Sequence, residues 1–106
     1  MASAADSVRK LVIDYVDRLK ENNIPIQKVV LFGSYARGTP GKDSDIDVAL
    51  VSASFQGDRY EDRRRIVPFR RGLDCRIEPI PITPADFEAG GILIDEIKKT
   101  GQIIPI

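Results

Sequence analysis

Two aspartates, Asp45 and Asp47, stand one residue apart in the run Asp45-Ile46-Asp47-Val48, and eleven residues before the first of them comes the serine of a Gly33-Ser34 pair that closes an apolar run. Side chains of an extended segment alternate between faces, so the two carboxylates project from one side with Cα atoms roughly 6.6 Å apart. Hard oxygen ligands in that arrangement suit a divalent cation. A Gly-Ser turn at the mouth of a helix offers the complementary chemistry. Its backbone N–H groups and a hydroxyl can meet a phosphate, and glycine permits the sharp turn and the close approach. An anion cradle beside a cation clamp is equipment for nucleotide chemistry. Read only as structure, Asp-x-Asp would be the wet face of a half-exposed strand. Against that, Asp is disfavoured in strands, and like charges on one face repel unless a cation or an arginine lies between them.

The surrounding segments must position these groups. Val8, Leu11, Val12, Tyr15, Val16 and Leu19 recur at helical spacing and predict an amphipathic helix over 4–22, started by Ser3 or Asp6 and ended by Asn22-Asn23 and Pro25. Residues 28–32 read as a short buried strand and 45–51 as a second, with Ile46, Val48 and Leu50 toward the core. Between them, 34–44 contains Gly38, Pro40 and Gly41 and is expected to form one helical turn followed by a loop. Residues 58–69 favour a helix, with Pro68 at or beyond its end.

The stretch 73–80 alternates Leu73, Cys75 and Ile77 with Asp74, Arg76 and Glu78, which predicts a third strand with a polar face. Thr83-Pro84 reads as the cap and first position of a short helix through Phe87. A last helix over 91–100 should bury Leu93, Ile94 and Ile97 and close at Gly101. The tail Gln102-Ile103-Ile104-Pro105-Ile106 is apolar and must pack on this domain or dock on something else. If consecutive strands lie side by side, the Gly33-Ser34 turn sits next to Asp45 and Asp47, and Asp74 on the third strand can be aimed at the same spot. Three such carboxylates would bind two magnesium ions about 3.5 to 4 Å apart and activate a hydroxyl for in-line attack on a phosphoryl centre.

Composition narrows the alternatives. A chain of 106 residues is expected to form one domain, 1–106, that buries about 65% of the surface its unfolded chain exposes. With 42% apolar and 30% charged residues, no run long enough to span a bilayer and no signal-peptide layout, it is expected to be cytoplasmic, away from membranes. The lone Cys75 cannot form an internal disulfide and is expected in the core. The absence of histidine removes Ser-His triads, histidine proton shuttles and the usual zinc ligands, so acid-base and metal work falls to carboxylates. Sixteen basic and sixteen acidic side chains cancel, which leaves no net field toward nucleic acid. Five arginines (63, 64, 65, 70, 71) nevertheless crowd one stretch. They are either a patch for phosphates or an acidic partner, or a solvated helix face offset by Asp58, Glu61 and Asp62.

The segments Leu31-Phe32-Gly33-Ser34-Tyr35-Ala36-Arg37-Gly38, Ser44-Asp45-Ile46-Asp47-Val48 and Leu73-Asp74-Cys75-Arg76 resemble the nucleotidyltransferase superfamily that includes DNA polymerase beta, and within it the minimal (MNT-type) members. The first two match the pattern Gly-Ser, ten residues, Asp-x-Asp without a gap; the third is less specific. The resemblance implies an α/β (α+β) nucleotidyltransferase fold, a small mixed sheet flanked by helices. It implies Gly33 and Ser34 toward the phosphates of ATP, Arg37 toward phosphate or a partner, and Asp45 and Asp47 as Mg2+ ligands. Asp74 would be the third carboxylate, serving as general base and further ligand, with Glu78 on the same face as its rival and Arg76 as a salt bridge holding the two apart.

Larger members carry a further helical domain, so substrate choice here is expected to come from a partner or a second copy of the chain. The resemblance also implies a helical HEPN-type partner and the antitoxin role in a toxin-antitoxin pair. The leading expectation is therefore transfer of AMP from ATP to a hydroxyl, and its rival is a non-catalytic module that neutralises a helical partner by binding. A nucleic-acid-binding domain built on the arginines is the third and weakest reading.

Overall fold

The computed structural model describes residues 4–37 and 45–106. Strands β1 (Lys28–Phe32), β2 (Ile46–Val51), β3 (Ile77–Ile82) and β4 (Gln102–Ile103) form a mixed sheet in the order β3-β2-β1-β4. β1 is antiparallel to both β2 and β4, whereas β2 and β3 run parallel. The helices are α1 (Ala4–Glu21), α2 (Ser34–Arg37), α3 (Arg59–Ile66) with a 3-10 turn after it (Val67–Arg70), α4 (Pro84–Ala89) and α5 (Ile92–Thr100). Among the described residues no helix is long and apolar enough to cross a membrane.

Strand alternation sorts the apolar residues into two layers. Val29, Leu31, Ile46, Val48, Leu50 and Ile77 pack on Val12, Tyr15, Val16 and Leu19 of α1 and on Ile66 of α3. On the other face Val30, Ala49, Val51 and Ile82 meet Ile94 and Ile97 of α5. The two layers leave little polarity inside, and the exceptions are fully partnered. The Tyr15 hydroxyl donates to the carbonyl of Ile66 at 2.6 Å, tying α1 to the end of α3, and burial pushes its phenol well above the ordinary range. Asp62 is 1% exposed and accepts from the backbone N–H groups of Gln56 and Gly57 at 3.0 to 3.1 Å. It thereby fastens the loop between β2 and α3. Asp62→Ala would strand those donors and is expected to cost about 3 kcal/mol in urea unfolding, whereas a similar change at the exposed cap Asp58 should cost about 1 kcal/mol.

The first helix, both of the first strands and the helix opened by Thr83-Pro84 form where the patterns place them, the last running on to Ala89. The third strand does not. It begins at Ile77 rather than 73, because Gly72 turns with φ +80° and the Asp74 carboxylate accepts from the backbone N–H of Arg76 at 2.8 Å, curling the chain back. Cys75 is consequently exposed on that turn instead of in the core. The strand then runs through Pro79 and Pro81, which an edge strand tolerates when the missing N–H groups face outward. They do: Ile46 and Ser52 donate to the carbonyls of Arg76 and Ile82, so the even positions face β2 and the odd ones the rim.

The apolar tail packs on this domain, with Gln102–Ile103 pairing to β1 and Ile104 2% exposed. Gly101 is the one residue that fits beneath it, since a Cβ there would strike the Ile97 carbonyl and the Val30 side chain. The expected starts of α1 at Ser3 or Asp6 and the expected loop at 38–44 lie outside the described residues and side chains.

Candidate active site

The antiparallel register sets Phe32 opposite Asp47, so the end of β1 delivers Gly33 directly beside the carboxylate of the neighbouring strand. Gly33 has φ +73°, a conformation that costs a side-chain-bearing residue about 1 to 2 kcal/mol. Space is equally restrictive. A Cβ on Gly33 would overlap Asp47 Oδ2 and lie 3.1 Å from its Cγ and 3.3 Å from its Cβ. The turn and the acid are thus fitted to each other. Asp45, one residue before β2 and exposed, continues the same alternation as Asp47.

The parallel register of β2 and β3 pairs Asp47 with Glu78, which puts their Cα atoms on neighbouring strands with side chains on one face of the sheet. The Glu78 carboxylate is held by Arg63 at 3.0 Å and Arg70 at 3.3 Å. Arg70 also donates to the Ile77 carbonyl, so this pair of arginines draws Glu78 toward the outer rim of β3. Asp74 stands in the turn before the strand. Both of its oxygens accept from Arg76, Nε at 3.1 Å and the terminal NH2 at 2.7 Å, and these hydrogen bonds hold its carboxyl below the usual range. Arg76 makes its ion pair with Asp74, and among the described residues it makes none with Glu78.

Among the described residues no three acidic or cysteine side chains stand close enough together to hold one metal ion. Asp45, Asp47 and Asp74 thus do not form such a group in this structure, and the Asp74 carboxylate is engaged by Arg76. The side chains of Ser34 and Arg37 lie outside the described set, so their expected phosphate contacts carry no geometry here.

The arginine stretch is largely spent inside the molecule. Arg63 and Arg70 serve Glu78, Arg64 pairs with Glu61 at 3.4 Å, and Arg65 donates to the carbonyl and hydroxyl of Ser54. Two contacts were not legible in the sequence. Tyr35 receives a hydrogen bond from Arg76 at 3.1 Å, and Gln102 donates to the Ala36 carbonyl at 2.9 Å. A tyrosine directly after the Gly-Ser pair was the only available hint of the first. The second depends on the pairing of β4, which no local pattern announces.

A sheet of this topology with a Gly-Ser turn set against an Asp-x-Asp strand defines a nucleotidyl-transferring architecture. Residues 12–104 match the family model of the nucleotidyltransferase domain, and the chain belongs to that family. Over 37 residues it is 49% identical to the protein adenylyltransferase MntA of Shewanella oneidensis, a stretch that covers 34% of this chain and 27% of that protein. The match thus spans about a quarter of that relative's length.

The fold superposes with a TM-score of 0.66 on the crystal structure of a protein described as a nucleotidyltransferase from Sulfolobus solfataricus, at 19% identity over 97% of this chain and 87% of that one. It superposes with a TM-score of 0.62 on a chain of a toxin-antitoxin structure with AMP-PNP, at 24% identity over 92% of this chain and 72% of that one. These two likenesses are likenesses of fold.

Proposed function

We propose that this chain transfers AMP from ATP to a hydroxyl group of a partner protein and that it works beside a helical HEPN-type partner as the antitoxin of the pair. The observation that carries the reading is the fit of Gly33 against Asp47, a left-handed turn with no room for a side chain beside a carboxylate on a strand. The protein adenylyltransferase name of the Shewanella relative and the AMP-PNP in the toxin-antitoxin structure support the nucleotide and the partner.

Magnesium fits the donor set. Asp45 and Asp47 are hard oxygen ligands on one face of an extended segment, next to a glycine cradle that a Cβ would fill. Bound there, the ion would neutralise phosphate charge. The chain's own groups do the rest. Gly33 lets the triphosphate approach the backbone, and the Ser34 hydroxyl donates to a phosphate oxygen. The acceptor oxygen forms its bond to the α-phosphorus as the bond to the β-phosphate oxygen breaks, so pyrophosphate leaves and the hydroxyl proton passes to a carboxylate.

For that carboxylate we take Glu78, the β3 partner of Asp47, with Asp74 as its rival; arginines engage both, Arg63 and Arg70 the first and Arg76 the second. Glu78→Gln is expected to lower transfer by about a hundredfold or more at unchanged nucleotide affinity. Asp74→Asn should instead act mainly on nucleotide affinity. The opposite pattern would return the third position to Asp74. Incubating the chain and its genomic neighbour with magnesium and α-labelled ATP tests the whole reading, and absence of label on any acceptor while the partner is still neutralised would favour plain binding.

A further inference from the structure

α2 is only four residues long, too short to hold its own shape, and it follows a glycine in a left-handed conformation. Something else must fix the Gly33-Ser34 turn. Two polar tethers reach it from opposite sides of the sheet. On the β3 side, Asp74 grips Arg76 through Nε and one terminal nitrogen, and the remaining terminal nitrogen, NH1, donates to the Tyr35 hydroxyl at 3.1 Å. On the β4 side, Arg9 donates to Gln102 at 2.9 Å, and Gln102 donates to the Ala36 carbonyl.

The first tether is the more directional. A planar guanidinium clamped in a fork has its third nitrogen aimed, which a lysine ammonium cannot reproduce. The Tyr35 ring packs against the core beneath, so movement at its hydroxyl is movement of α2. The Arg76 side chain is 39% exposed, and ion pairs so open to water add little to global stability. What this pair supplies is direction.

We propose that Arg76 is a positioning residue of the nucleotide site: oriented by Asp74, it holds the Tyr35 hydroxyl and thereby sets the Gly33-Ser34 turn in the shape that receives the triphosphate. This rests on the nucleotidyltransferase reading above. A turn prepared before the ligand arrives spares the cost of ordering it on binding.

The test measures calorimetric affinity for a non-hydrolysable ATP analogue in magnesium, together with amide exchange at Gly33 and Tyr35 and the melting temperature. Tyr35→Phe is expected to weaken binding about fivefold, and Arg76→Gln and Arg76→Lys about tenfold each. Amide exchange at the turn should speed up in all three variants while the melting temperature scarcely moves. The double variant Tyr35→Phe/Arg76→Gln should bind no more weakly than Arg76→Gln alone, since both remove one tether.

Wild-type affinity in Arg76→Lys would show that only the positive charge matters and would overturn the inference. So would variants unchanged in affinity and exchange, and that result would leave the nucleotide reading standing. A wild-type chain that takes up no analogue would overturn the nucleotide reading, and the inference with it.

Discussion

Replacing Asp45 and Asp47 together by alanine is expected to reduce transfer of labelled AMP by about a thousandfold or more, the loss that follows when several kcal/mol of charge stabilisation at a phosphoryl centre is withdrawn. The fold should survive. Asp45 is exposed outside the strand and Asp47 is only half-buried near the start of β2, so neither supports the apolar layers that hold the sheet. Circular dichroism and a melting curve close to wild type, beside lost activity and lost magnesium-dependent binding of the ATP analogue, would separate a chemical defect from a structural one. Activity within tenfold of wild type would mean that the metal is held elsewhere.

Gly33→Ala is expected to have the second largest effect, and its effect should be double. The left-handed backbone alone costs about 1 to 2 kcal/mol, and the new methyl must in addition displace the Asp47 carboxylate. We expect a total near 3 kcal/mol, or a melting temperature lower by roughly 15 °C for a domain of this size, together with about a hundredfold loss of transfer. Gly72→Ala provides the control. Gly72 has φ +80° but nothing within 4 Å of its would-be Cβ, so it carries the backbone strain without the collision. Equal losses of activity in the two variants would deny the fit between turn and acid.

The sequence disclosed the parts of this molecule that local rules govern. Helical spacing of Val8, Val12, Tyr15 and Leu19 places α1, which buries one face against the sheet, and the apolar 28–32 and 45–51 runs place β1 and β2, which are covered on both faces. The neighbouring of Gly33 and Asp47 followed from pairing consecutive strands. Strand β3 was misread because the alternation from Leu73 to Glu78 continues through a turn that Asp74 makes with its own neighbour's N–H, a local bond that periodicity does not register. Pro79 and Pro81 fit a strand only where its rim is free, and that is a fact about sheet order. The proposal of Glu78 over Asp74 rests on its pairing with Asp47 across parallel strands thirty-one positions apart, and no spacing within either segment contains that.

The outer margin of β3 has a final bearing on assembly. At Ile77 the N–H is already taken by Asp74 and the carbonyl by Arg70, and the next two outward positions are prolines with no N–H to give. An incoming chain would find acceptors there without donors and could not zip alongside. Growth of the sheet by a foreign or sister polypeptide is thus confined to the flank of Gln102 and Ile103, so any such joint is one-sided and a filament running through both margins is forbidden.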